Sequence, residues 1–301
     1  KDYPYHPSYG EARYPFVVGG LEIVDRVMAW AEQCKLKVVL DLHAAPGCQN
    51  GFDNGGILNV CDWASKGEYI DHALDVLERL AMRYQDAPAL YGIEVLNEPR
   101  WDIPTELLKD YTARAYARIR RYCPPEKVTV IFHDGFRDFR QYAGFLQEPD
   151  YRNVTFDIHR YQCFSREEID MDIFGHVRKG AEDLREEVRA MVRESGYQVI
   201  CGEWSLGLDQ KVVSLWAEGP FNHALETMDT FQAATALRGY AAAQLLSLEQ
   251  GDGWFFWTYR TETTPEWCYR DLVDQGIMPH LGKTELLIGT HTILGRPKDR
   301  R

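Results

Sequence analysis

"YGIEVLNEPRW" (Tyr91–Trp101) begins as a buried β-strand and stops on a carboxylate. Apolar and β-branched residues run to Leu96, then Asn97 and Glu98 follow, and Pro99 ends the strand by fixing its own φ and restricting the residue before it. Five other runs have the same shape: "KVVLDLH" (Lys37–His43), "VTVIFHD" (Val128–Asp134), "VTFDIHRY" (Val154–Tyr161), "QVICGEW" (Gln198–Trp204) and "GWFFWTY" (Gly253–Tyr259). Each is close to continuously apolar, as strands are when both sheet faces are covered. Each also finishes on a polar or aromatic side chain: His43, Asn97 with Glu98, His133 with Asp134, His159 with Tyr161, Glu203 with Trp204, and Trp257.

Between these runs lie helical patterns. "LEIVDRVMAWAEQC" precedes the first strand, and "EYIDHALDVLERLAMRY" sets Ile70, Ala73, Leu74, Leu77, Leu80 and Ala81 on one face. "PTELLKDYTARAYARIRRY" opens with Pro104 near a first helical turn, and its arginines are expected to line a solvated face. Further helix is predicted over residues 167–194 and 231–247, and "PEWCYRDLV" follows the last strand. Strand alternating with helix predicts an α/β fold with a parallel sheet. An open sheet gathers its function at one switch point, whereas a barrel draws residues from many strand ends to one mouth. Six contributing strands predict a (β/α)8 TIM barrel in which the third to eighth strands are present and the first two are missing. Residues 1–301 are read as one catalytic domain, N-terminally incomplete, with 282–301 as a C-terminal tail. A barrel short of two strands would expose two sheet edges.

The chain has 301 residues, 45% hydrophobic and 27% charged, enough for one large core. Its formal net charge of −12 argues against nucleic acid, which needs a basic footprint, and against anionic membranes. No apolar run reaches the about 18 residues of a transmembrane helix, and "KDYPYHPSYG" lacks the apolar stretch of a signal peptide. The seven cysteines (Cys34, Cys48, Cys61, Cys123, Cys163, Cys201 and Cys268) are odd in number, widely spaced and without a CxxC pair. They predict reduced thiols in a cytoplasmic protein. A chain that starts without Met leaves secretion open, and Asn153-Val154-Thr155 is a glycosylation sequon at a predicted strand start. No glycine-rich dinucleotide or NTP loop follows a strand. A monomer is expected.

Glu98 and Glu203 are the glutamates that end predicted strands. A barrel would bring both to one mouth, and two facing carboxylates are the machinery of glycoside hydrolysis, one as acid and the other as nucleophile or base. Three histidines near strand ends, His43, His133 and His159, with Asp41, Asp134 and Asp157, also have the donor types of a zinc site. Strand alternation puts Asp41 beside His43 and Asp157 beside His159, and Asp–His hydrogen bonding accounts for these pairs without a metal. Trp257 and Phe164 read equally as core aromatics. Gly47, Gly51, Gly55 and Gly56 read as shaping a loop, and Cys48 within it has no adjacent base to make it a nucleophile.

"LNEP" and "GEW" resemble the acid/base and nucleophile signatures of glycoside hydrolase family 5, in clan A. "DLHAAPGCQNGFDNGG" (Asp41–Gly56), "DIHRYQCF" and "GWFFWTYRTETTPEW" resemble its exo-β-1,3-glucanase branch, over residues 17 to 280. The resemblance implies a retaining (β/α)8 enzyme, without metal or cofactor, that removes glucose from the ends of β-1,3-glucans or gluco-oligosaccharides. It implies Glu98 as acid/base and Glu203 as nucleophile, with Asn97 on the sugar 2-hydroxyl. His43 and His159 would bind hydroxyls or orient carboxylates, and Tyr161 would hydrogen-bond the nucleophile. Trp257 would floor the reacting sugar, Phe52 and Phe164 would clamp the next one, and Asp53 and Asn54 would lie beside it. The "GCQNGFDNGG" loop, closing one end of the cleft, favours exo action. Two alternatives remain at this point: a β-glucosidase of other glucoconjugates, and a truncated, weakly active glucan-binding protein. The family's arginine after its second strand, and its sugar-gripping residues near the first, have no match, so reduced activity is expected of this polypeptide alone.

Overall fold

Six strands alternate with helices in the computed structural model, which describes residues 19–208, 225, 228–262 and 265–279. The expected tail, 282–301, lies outside the described residues. The chain divides into two compact units. The first holds residues to Arg160, Glu182–Trp204 and Ser247–Phe255, and the second holds Tyr161–Ala181, Ser205–Leu246 and Phe256 onward.

The first unit carries the sheet, apart from Phe256 at the end of its last strand. Its strands are β1 (Val38–Asp41), β2 (Leu90–Glu94), β3 (Thr129–His133), β4 (Val154–His159), β5 (Gln198–Trp204) and β6 (Gly253–Phe256), adjacent in that order. The pairs from β1 to β5 are parallel. Sequence order equals spatial order, the arrangement of a partial (β/α)8 barrel. β3 and β4 are buried at every residue, their polar members Thr129, His133, Thr155, Asp157 and His159 included. Behind them Phe132, Tyr142, Phe145, Phe156 and Tyr197 interlock, with Phe132 and Phe156 centroids 5.1 Å apart. Fully burying a phenylalanine contributes about 1.5–3 kcal/mol, so this cluster fixes the two strands against their covering layer.

Helices α1 (Gly20–Cys34), α2 (Gly67–Tyr84) and α3 (Thr105–Ile119) precede or connect the first strands. α2 buries Tyr69, Ala73, Leu74, Leu77, Ala81 and Tyr84, while Ile70 and Leu80 of the expected face are half-buried. Pro104 is the residue before α3, with extended ψ of 130°, rather than a member of its first turn. The α3 arginines face neighbours instead of solvent alone. Arg114 pairs with Asp71, and Arg118 with Asp75 and with Glu78 at 3.2 Å; Arg121 reaches Glu78 at 2.9 Å. Tyr111 of α3 donates its hydroxyl to the Val95 carbonyl at 2.8 Å and so ties this helix to the chain just past β2.

Two expectations change. β2 ends at Glu94, four residues before Glu98. Beyond it the backbone stays bound but irregular, with Val95 N–H donating to Ile131 and Asn97 N–H crossing to Leu42 on the other side. The single helix expected over 167–194 is three: α4 (Arg166–Ile169), α5 (Ile173–Ala181) and α6 (Asp183–Glu194). Ser165 and Glu168 form a capping box that starts α4, and the Asp172 carboxylate accepts the Gly175 N–H at 2.7 Å. Side-chain capping of this kind outcompetes helix continuation.

The second unit holds α4, α5, most of α7 (Thr230–Leu248) and α8 (Tyr269–Asp274). Gly180 of α5 lies where a Cβ would press on Ala243 and Gln244 of α7, and His176 packs on Tyr240. Among the described residues no helix is long and apolar enough to cross a membrane. All seven cysteines are free.

Candidate active site

The strand ends of the first unit deliver a chain of hydrogen-bonded carboxyls and imidazoles. His159, last residue of β4, is buried, and its Nδ1 donates to Glu98 Oε1 at 2.8 Å. The same nitrogen lies 3.6 Å from Glu203 Oε2, and Nε2 lies 3.3 Å from Asp157 Oδ2. A register shift between Ile158 and His159 sets His159 opposite Glu203 on β5. The two glutamates that sequence spacing brought together therefore flank one imidazole. Their nearest oxygens are separated by no more than the sum of the two Nδ1 distances.

Glu98 has a left-handed backbone, φ 42°, uncommon for a residue with a Cβ. Such conformations cost on the order of 1–3 kcal/mol and need surroundings that over-determine them. The loop after β1 supplies these. Buried Gln49 donates to the carbonyls of His43 (2.9 Å) and Asn97 (2.8 Å), and Asn50 donates to the Glu98 carbonyl at 3.1 Å. Asn54 then donates to Glu98 Oε2 at 2.7 Å. Asn97 is buried, and its Nδ2 makes no hydrogen bond in this structure. That is an expensive state for an amide unless a ligand completes it.

The charges follow from this packing. Burial pushes the Glu98 carboxyl up, but the His159 hydrogen bond and charge, with His133 and Asn54, outweigh it and hold the group at about 2. Burial works against a charged His159, yet Asp157, Glu98 and Glu203 raise it well above the usual histidine value. His159 is thus an imidazolium clamped between carboxylates. His133 goes the other way: burial, then the His159 charge, push it well below. Its Nδ1 accepts the Gly135 N–H at 2.9 Å. His43 donates to Asp41 at 2.8 Å, and that bond raises it against its burial. Of the two Asp–His pairs expected from strand alternation, Asp41–His43 is hydrogen-bonded and Asp157–His159 is an ion pair at 3.3 Å.

Donor atoms of Glu98, His133 and His159 lie within 4.8 Å of one another, as do those of Glu94, Asp157 and His159. These are metal-binding residue types. The imidazole common to both groups has each nitrogen turned to a carboxylate, the pattern of a hydrogen-bond chain.

Phe52 sits half-buried with its ring 6.1 Å from Trp101, an exposed aromatic that sequence reading passed over. Asp53 is exposed beside it. Tyr161, Phe164 and Trp257 belong to the second unit, where Tyr161 meets Phe164 edge-on at 5.3 Å and Trp267 at 5.2 Å. Arg160 and Glu94 were also missed. Half-buried Arg160 bridges Asp134 (2.9 Å) and Glu187 (2.7 Å) and donates to the His159 carbonyl at 2.8 Å, fixing the end of β4. The arginine directly after His159 was its one sequence signal.

The family model for cellulase (glycosyl hydrolase family 5) matches residues 13–262. The chain belongs to glycosyl hydrolase family 5. Among its relatives, a glucan 1,3-beta-glucosidase from Blumeria graminis is 34% identical over 284 residues, covering 88% of this chain and 66% of that protein. The chain therefore spans just under two thirds of that relative's length. The family fold recurs in solved structures. Rutinosidase from Aspergillus niger superposes with a TM-score of 0.67 at 16% identity, over 90% of this chain and 75% of that one. Endo-glycoceramidase II from Rhodococcus sp. superposes with 0.57 at 14% identity, over 90% and 68%.

Proposed function

We propose that this family 5 chain is the catalytic domain, residues 1–301, of a retaining exo-glycosidase that releases glucose from β-1,3-glucans and gluco-oligosaccharides. The observation that carries the reading is the placing of Glu98 and Glu203 on either side of His159 Nδ1, at 2.8 and 3.6 Å. That bound on their separation includes the about 5–5.5 Å of retaining enzymes and stops short of the about 6.5–9.5 Å of inverting ones. The glucan 1,3-beta-glucosidase relatives support the linkage, and the stapled loop after β1 supports exo action.

In this reading Glu203 attacks the anomeric carbon, Glu98 protonates the leaving oxygen and later activates water, and the unpaired Asn97 amide holds the 2-hydroxyl. His43 binds a hydroxyl, and His159 orients both carboxylates. Phe52, Asp53 and Asn54 contact the next sugar, and Tyr161, Phe164 and Trp257, in the second unit, are the further residues proposed to bind substrate. An acid catalyst must hold a proton when it acts. In the ligand-free protein that proton lies on His159, one 2.8 Å hydrogen bond from Glu98. No metal or cofactor is needed for these steps. The free cysteines suit a reducing compartment, and the protein acts as a monomer.

The test is glucose release from laminari-oligosaccharides, with the anomer followed by NMR. The β-anomer should form first, and Glu203→Gln should lower kcat by at least about a thousandfold, as loss of a nucleophile does. Formation of the α-anomer, or full activity in Glu203→Gln, would remove the double-displacement assignment.

A further inference from the structure

Beneath Glu98, His159 and Glu203 lies a second pair of carboxyl groups that the proposed reaction does not use. Glu94 ends β2, in register with Asp41 on β1, and Asp157 lies on β4. An oxygen of each lies within 4.8 Å of the other and of His159. Asp157 Oδ1 accepts the Gly202 N–H at 2.5 Å, while Oδ2 lies 3.3 Å from His159 Nε2 as an ion pair and makes no hydrogen bond. Gly202 is what permits this, because a Cβ there would overlap the Asp157 carboxylate. Glu94 has no such donors, and its Oε1 is buried without a hydrogen-bond partner. Two adjacent buried carboxyls do not both ionise. The one without donors keeps the proton and gives it to the other as a hydrogen bond. The electrostatics agree: burial first, then the charges of Asp157 and Asp41, push Glu94 well above the usual carboxylate range, with His159 opposing.

We propose that Glu94 is a positioning residue for the acid/base: as a neutral carboxylic acid it donates to Asp157, weakens the hold of Asp157 on the His159 proton, and so lets that proton pass from His159 Nδ1 to Glu98 Oε1. This rests on the glycosidase reading above. In the transfer the Nδ1–H bond of His159 breaks and an O–H bond forms on Glu98. His159 becomes a neutral imidazole that keeps Nε2–H toward Asp157, and the net charge of the cluster is unchanged. Facing His159 are Asp157 on its own strand, Glu98 beyond β2, Glu203 from β5, Asp41 from β1 and the His133 ring at 4.4 Å. Facing Glu98 are His159, His133 and Asn54. Glu94, with its Oε1 buried and unpartnered, lies where it can buffer Asp157.

The experiment compares native protein with Glu94→Gln and Glu94→Leu on two substrates. Laminaribiose needs its leaving group protonated, whereas a dinitrophenyl β-glucoside does not. Glu94→Leu should lower kcat on laminaribiose by on the order of tenfold or more, leave the dinitrophenyl glucoside within about threefold, and move the alkaline limb of kcat/KM to higher pH, because Asp157 then holds the His159 proton more tightly. Glu94→Gln, a neutral donor of the same shape, should restore most of the laminaribiose activity and the native pH profile. Equal losses on both substrates, or a Glu94→Gln as impaired as Glu94→Leu, would overturn the proposal. Infrared difference spectra of ligand-free native protein and Glu94→Gln give a readout that needs neither turnover nor a folded Glu94→Leu. A protonated-carboxyl carbonyl band lost in Glu94→Gln supports a neutral Glu94, and loss of carboxylate bands alone overturns it. Were the native protein inactive on both glucosides, the glycosidase reading would fall while the infrared result still decided the state of Glu94.

Discussion

The protein arranges opposite charges in two very different ways. At the strand ends, Asp157, His159, Glu98 and Glu203 form a buried array on β4, the chain beyond β2, and β5. Between α2 and α3, the side chains of Asp71, Asp75, Glu78, Arg114, Arg118 and Arg121 form a ladder that stays partly in water. The donor and acceptor types overlap, yet only the buried array shifts its histidines in opposite directions and holds a carboxylate at about 2. Water screens the ladder and leaves each member replaceable. In the buried array the groups compensate one another away from water, so removing one leaves its neighbours' charges less compensated.

The largest expected break in this comparison is Asp157→Ala. It removes the acceptor of the Gly202 N–H and one of the three carboxylates within 3.6 Å of His159. Stranding a buried charge in this way costs about 3–5 kcal/mol. Urea unfolding should show the midpoint falling accordingly, and a change under about 1 kcal/mol would mean that the array is far better hydrated than its burial implies.

A smaller effect separates the two arrays by pH. Glu98 is held at about 2 against an ordinary value of 4.5, so its contribution to stability is full above pH 4.5 and fades as pH falls toward 2. His159 is raised above 6.5, so its contribution is full below pH 6.5 and is lost as pH climbs through the folded value. The pair is therefore strongest from pH 4.5 to 6.5. The stability difference between native protein and Glu98→Gln should be on the order of 2 kcal/mol in that window and shrink on the acid side. A difference that stays constant down to pH 2 would show that Glu98 is not ionised by His159.

The contrast also explains what could be read in advance. The barrel reading came from six strands ending on polar or aromatic side chains, a pattern carried by local sequence. Asn97, Glu98, His159 and Glu203 were legible because each ends or follows an apolar run. Glu94 was not: in "YGIEVLNE" it is one polar residue inside a run taken as strand throughout, and the chain leaves β2 at that residue. Its significance depends on Asp157, which sits 63 residues away, and on the missing Cβ of Gly202. The φ of 42° at Glu98 was equally hidden, because the Gln49 and Asn50 side chains that hold that segment lie 48 residues upstream of the carbonyls they reach. The arginines of α3 were read as solvated because their acidic partners lie on another helix, 43 residues away in the case of Arg114 and Asp71. Side-chain identity announces chemistry. Which groups compensate one another is a property of tertiary contact.

Arg118→Ala should give the smallest effect and tests the other side of the comparison. Arg118 sits in the middle of the ladder and reaches both Asp75 and Glu78. Arg121 remains on Glu78 when it is removed, and water takes up Asp75. Partly exposed pairs of this kind contribute about 0.2–1 kcal/mol. The loss of stability should lie in that range at low salt and diminish as ionic strength rises, since the Debye length falls to about 3 Å at 1 M. Loss of packing by the aliphatic stem of an arginine is indifferent to salt. A double-mutant cycle with Asp75→Ala across a salt series separates the two parts. A salt-independent coupling above about 2 kcal/mol would place this pair with the buried array.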